Sequence, residues 1–162
     1  MTIDDLGEYG VVRMDDEEVT KFLSSQHVGV LSLPTDGAPS MRPLSFWFDG
    51  KHRLYFLYLG GESGRKALLS DEADTARFLV YRAETMFNWR SILLTGTISQ
   101  VEDDQHALDE LMALPQRPDL FKEAIDAEET VLYRFDITEQ TGIKHLGLPA
   151  GLEAAESDDP TV

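Results

Sequence analysis

Apolar positions recur along this chain in two rhythms, and the change from one to the other outlines the fold. In "MDDEEVTKFLSSQ" (14–26) the apolar residues Val19, Phe22 and Leu23 share one face at helical spacing. Asp15 stands where a helix cap would, and Glu18 follows three residues later, the capping-box spacing. A helix is predicted there. After it the rhythm shortens. "HVGVLSLP" (27–34), "SMRPLSFWF" (40–48) and "RLYFLYL" (53–59) read as three strands, separated by the turns "TDGAP" and "DGKH". Pro43 has no amide to give to a ladder, so its strand must lie at an edge or carry a bulge there. A Gly-Gly loop and a short helix, about 64–70, come next.

"TARFLVYRA" (75–83) is the fourth strand, "ETMFN" a loop, and "WRSILLTGTISQV" (89–101) a long fifth strand in which Gly96 marks a bend or bulge. "EDDQHALDELMAL" (102–114) reads as a helix capped near Asp103 or Asp104, and "RPDLFKEAI" (117–125) as another. "TVLYRFDITEQ" (130–140) is a sixth strand and "TGIKHL" (141–146) a short last one. Six or seven strands with tight turns predict a mainly β fold, an antiparallel barrel with peripheral helices, over residues 1–147 as a single domain. Residues 148–162 are acidic, lack periodicity and are expected to be disordered. Neither a Rossmann alternation nor a G-x-G-x-x-G motif occurs.

Composition narrows the chemistry. The 162 residues include 30 acids, 14 Lys and Arg and no cysteine, for a net charge of −16. Without thiols there are no disulfides, thiolate metal sites or cysteine nucleophiles. The four histidines show no metal-ligand spacing. Such an acidic, lysine-poor chain suits molar salt, where the Debye length falls to about 3 Å, and points to a halophilic archaeon. It argues against nucleic-acid binding, which needs cations facing phosphates. No apolar run could span a bilayer, and the N-terminus has no signal-peptide pattern. A cytoplasmic location is expected.

The bases are unevenly placed. From Arg42 to Arg90 there are eight of them against six acids. Within that window "GGESGRKALLS" (60–70) sets Arg65 and Lys66 after a Gly-rich loop and at the start of a helix. Arg can bind a phosphate bidentately, Lys adds a point charge, and helix amides add positive dipole. "MRPLSF" and "NWRS" could converge on the same ligand.

This ordered set, a proline-containing second strand, "RLYFLYL", "GRKALL", "ARFLVYR" and "WRSILLTGTI", resembles the pyridoxamine 5′-phosphate oxidase-like family of flavin-binding split barrels, and most of all its small branch with the nitroimidazole-reductase-like proteins. The resemblance runs from Asp15 to Val101, and "VLYRFDITEQTGIKHL" is similar to the branch's closing strand. It implies a six-stranded antiparallel split barrel that forms a homodimer, with FMN in the cleft between subunits. By the same resemblance Arg42, Pro43, Leu44, Ser45 and Phe46 run along the isoalloxazine ring and meet it through backbone groups. Leu57 and Tyr58 lie near the ribityl chain and phosphate, and Arg65 and Lys66 form the phosphate-binding pair. Ser91 offers the flavin a polar group, with Trp89 and Arg90 beside it.

The authentic oxidase carries a C-terminal Trp and Arg that hold pyridoxal phosphate. "LGLPAGLEAAESDDPTV" has neither, so vitamin B6 oxidation is not expected. The reading is a flavin-dependent oxidoreductase acting on an unidentified small molecule, with no side chain marked as catalytic. The alternatives are a non-catalytic flavin, haem or deazaflavin module, in which His27 or His145 would ligate haem, and a ligand-free dimer. Met86, Phe87 and Trp89 are expected to cover the partner, the flavin or the barrel's own end.

Overall fold

The computed structural model describes residue 2 and residues 4–59, 65–101 and 130–147. The helices expected at 102–114 and 117–125, the Gly-Gly loop and the 148–162 tail lie outside these residues.

Strands β1 (Val11–Arg13), β2 (Val28–Leu33), β3 (Ser40–Phe48), β4 (Arg53–Leu59), β5 (Ala76–Thr85), β6 (Asn88–Gln100) and β7 (Thr130–Leu146) form one antiparallel sheet, with helices α1 (Asp16–Ser25) and α2 (Arg65–Glu72). The order is β1-β7-β4-β3-β2-β5-β6, and β6 also pairs with β7. That pairing closes six strands into the expected barrel, and β1 is an extra strand on β7.

The inward residues of the six barrel strands meet in one core: Leu31, Leu44, Phe46, Leu54, Phe56, Phe78, Val80, Ile92, Leu94, Tyr133 and Phe135 among them. Phe78 sits against Phe56 at 4.9 Å and edge-on to Phe46 at 5.3 Å between ring centroids. Burial of this apolar surface, at about 25 cal/mol per Å², is what holds the barrel.

α1 plugs one end with Val19, Phe22 and Leu23. Its capping box is present in full: the Glu18 amide donates to Asp15 Oδ1 at 2.8 Å, and the Asp15 amide donates to Glu18 Oε2 at 3.2 Å. The "DGKH" turn is organised by Asp49, whose Oδ1 accepts from the amides of Lys51, His52 and Arg53, with Gly50 at φ 84°.

Two expectations need correction, and two elements were not expected. The last two strands are one: β7 runs unbroken from Thr130 to Leu146, because β6 follows it along its length and absorbs the curvature at Gly96. The register slips between Thr95 and Gly96, where a side chain on Gly96 would stand 2.2 Å from the Asp136 carbonyl oxygen. The "ETMFN" loop is tighter than expected, with β5 reaching Thr85 and β6 starting at Asn88. The 3-10 turn Asp4–Tyr9 and β1 were too short for any periodicity to reveal.

Candidate functional site

The sheet is open at one place. β3 pairs with β4 only over Phe46–Phe48 against Phe56–Leu54. Beyond that point β3 follows β2, Ser40–Ser45 against Leu33–Val28, while β4 follows β7, Leu57–Leu59 against Leu132–Thr130. The two strands therefore diverge as a fork.

The alternation of an antiparallel ladder says which groups line it. The Phe46 amide donates to the His27 carbonyl, so even-numbered residues of β3 face β2. Met41, Pro43 and Ser45 turn their backbone groups the other way, into the fork. On β4 the Arg53 carbonyl accepts from Asp49, on the β3 side, so Leu57 and Leu59 face the fork as well. Among the described residues no strand pairs with these groups. Of the described side chains only the Arg42 guanidinium reaches one, the Met41 carbonyl, at 3.4 Å. Pro43 fits this geometry: the amide it lacks would have pointed into the gap. The edge position inferred from its sequence is thus found inside a closed barrel, at its split.

α2 begins six residues after the end of β4, one tine of the fork. Two tyrosines hold it. Tyr58 of β4 and Tyr133 of β7 stack at 4.4 Å between centroids. The Tyr58 hydroxyl bonds Ser70 Oγ at 2.8 Å, and the Tyr133 hydroxyl donates to Asp71 Oδ1 at 2.9 Å. Burial, reinforced by the Asp71 charge, pushes the Tyr58 hydroxyl up to about 12 against the opposing bond to Ser70, so it stays neutral.

The residues singled out from sequence separate into groups. Pro43, Ser45 and Leu57 put backbone groups into the fork. Arg42 is exposed although it shares the face of buried Leu44 and Phe46. Leu44 and Phe46 give their side chains to the core and their backbone to β2. Tyr58 is buried, and its hydroxyl is taken by α2. Arg65 and Lys66 form the first turn of α2; their side chains lie outside the described ones. Trp89, Arg90 and Ser91 are not at the fork of their own chain. They open β6, beside Ala83, Arg82 and Tyr81 on β5 and His145, Lys144 and Ile143 on β7.

The outer wall of the barrel next to the fork is apolar, which sequence reading missed. One register row crosses it as Pro43, Val30, Leu79, Leu93 and Thr141. Val28, Met41, Tyr81 and Leu93 are exposed on this wall, and Ser91, paired with Tyr81, shares it. The signal was in the sequence, since β2 and β5 are apolar at alternate and intervening positions alike, but only the register joins the strands into one surface.

A groove of about 720 Å³ lies between the β2–β3 turn (Pro34–Gly37) and Leu69, Glu72 and Ala73. Its acids, Asp36 and Glu72, suit it poorly to an anion. His145 is buried with Nε2 unbonded, edge-on to Phe87 and Trp89. Phe87 and Trp89 thus pack on His145, and Trp89 shares the outer face of β6 with Ser91 and Leu93. His27 is exposed. Among the described residues no cluster could hold a metal ion, and no helix is long and apolar enough to cross a membrane.

Solved structures share this architecture. A FAD-binding protein from Mesorhizobium loti is 21% identical, with a TM-score of 0.68 over 85% of this chain and 98% of its own. The FAD-binding protein from Mycobacterium smegmatis is 18% identical, with a TM-score of 0.62 over 84% and 100%. The haem storage protein HutZ from Vibrio cholerae is 14% identical, with a TM-score of 0.66 over 82% and 96%. A search of curated proteins by sequence finds no match. The family model described as pyridoxamine 5′-phosphate oxidase matches residues 15–144, from the cap of α1 into the last residues of β7, and the chain belongs to that family.

Proposed function

We propose that the chain binds FMN at the fork and works as a flavin-dependent oxidoreductase on a small molecule. The observation that carries this reading is the backbone lining of the split. Met41, Pro43 and Ser45 face Leu57 and Leu59 across a slot that no strand among the described residues fills. Backbone polar groups that stay unpaired cost stability unless something meets them. The edge of an isoalloxazine ring carries both donors and acceptors and suits such a slot. The amides at the start of α2, with Arg65 and Lys66, suit the phosphate. Residues and group therefore fit.

FMN would supply the electron or hydride chemistry. The chain's own part is to orient the ring by main-chain bonds, to hold the phosphate at α2, and to put the Arg42 cation at the mouth. A nearby cation favours the anionic, reduced ring.

The apolar wall supports a homodimer. Exposed Val28, Met41, Tyr81 and Leu93 form a contiguous patch beside the fork, of the kind that marks an interaction site. A second copy seated there would bury it and bring Ser91 close to the other fork. Leu93→Asp should convert a dimer to a monomer by gel filtration.

Haem is less well supported. Nε2 of His145 abuts Gly10, where an added Cβ would stand 3.1 Å away, leaving no room for iron. The test is an absorbance spectrum of protein purified in molar KCl and passed down a gel-filtration column with FMN. Flavin bands that travel with the protein, and are lost in the Arg65→Ala, Lys66→Ala double variant, support the reading. Colourless protein fractions overturn it.

A further inference from the structure

We infer that Tyr133 and Tyr58 are positioning residues for the phosphate end of the site, acting through Asp71 and Ser70 rather than by touching the ligand; this rests on the flavin reading above. α2 has eight residues, a length at which a helix is marginal on its own. Its place must come from anchors. Among its described side chains Leu69 packs partly against the core, and the next two residues, Ser70 and Asp71, are each held by a tyrosine hydroxyl.

The two anchors share one origin. Tyr58 and Tyr133 come from neighbouring strands, β4 and β7, and their rings stack inside the barrel. Neither ring can turn without displacing the other in a close-packed interior. Both hydroxyls therefore leave the core at fixed points and meet consecutive residues of one helix. That defines the rotation of α2 about its axis as well as its distance from the sheet. Ser70 is five residues from Arg65, about 7–8 Å along the axis at 1.5 Å per residue. A small rotation at the anchor thus re-aims the first-turn amides, where an anion would be held. Tyr58 also borders the fork through its neighbour Leu57, so one strand carries both the slot's backbone lining and the helix's anchor.

The test compares two ligands that differ only in the phosphate. Affinities for FMN and for riboflavin are measured by quenching of flavin fluorescence, for the wild type, Tyr133→Phe, Asp71→Ala and Asp71→Asn. Losing one bond to a charged acceptor should weaken FMN by roughly tenfold in Tyr133→Phe and Asp71→Ala. Riboflavin, with no phosphate to place, should change less than about twofold in the same variants. Asp71→Asn keeps an oxygen that can accept from Tyr133 and should bind FMN nearly as the wild type does.

Equal weakening of both flavins would show that the tyrosines merely support the barrel, and no weakening of either would show that α2 needs no such anchor. Either result overturns the assignment while leaving the flavin site standing. A wild type that binds neither flavin defeats the flavin reading itself, and the assignment with it. Should Tyr133→Phe fail to fold, Asp71→Ala, at an exposed helix position, carries the same comparison.

Discussion

The β6–β7 seam and the β3–β4 split are the two contrasting edges of one barrel. At the seam β6 and β7 pair from Asn88 and Leu146 to Gln100 and Tyr133. At the split β3 and β4 pair over three residues and part. A backbone device marks each. Gly96 lets β6 approach Asp136 more closely than any side chain would allow. Pro43 removes an amide just where a partner strand is missing. The glycine belongs to the edge that must close for the barrel to exist, and the proline to the edge where the proposed flavin would bind. On that proposal, stability and function fall to different edges of the sheet.

Mutations should reproduce this division. Phe78 lies between Phe46 beside the split and Phe135 beside the seam, so Phe78→Ala should destabilise most, by about 3–5 kcal/mol in chemical denaturation. Gly96→Ala should cost about 1–3 kcal/mol, because the atoms it meets are backbone and a packed ring. Pro43→Val at the split should stay within about 0.5 kcal/mol, as for a surface change that breaks no bond. A proline variant as costly as the glycine variant would mean that β3 is not free on that side. Away from both edges, Asp15→Ala removes the α1 cap and should cost about 1 kcal/mol.

The smallest effect is a pH dependence at the plugged end. The Lys144 ammonium and the Asp15 amide hold the Glu18 carboxyl below its ordinary value of 4.5. The unfolded chain therefore takes up this proton first as pH falls. The contribution is complete above about 4.5 and is lost as pH drops through the lower folded value. Glu18→Gln should flatten the stability profile in that acid range, and an unchanged slope would show that the Lys144–Glu18 pair is unimportant in solution.

Much of the barrel was legible because its signals are local. Alternation gave β2 to β5, the capping residues gave α1, and Gly96 announced its bulge. What stayed hidden depends on partners distant in sequence. The chain looked divided between Gln140 and Thr141, because polar residues interrupt the apolar rhythm there, yet β6 pairs with both and keeps β7 one strand. β1 exists only because β7 offers Ile143–His145 to pair with. At the site, the residue types of "RPLSF" were legible, but ladder parity decides that Pro43 and Ser45 line the fork while Leu44 and Phe46 do not. Tyr58 was read as near the ligand, but that its ring lies in the core and its hydroxyl bonds Ser70 of α2 was not legible.

The most direct test of the open edge is amide hydrogen exchange with and without FMN in molar KCl. The amides of Met41, Ser45 and Leu57 point into the fork, and each should gain protection when flavin binds, while those of Ile92 and Leu94 in the β6–β7 seam should not change. Protection that rises at the seam, or that leaves Met41, Ser45 and Leu57 exchanging as before, would place the ligand elsewhere and contradict the account.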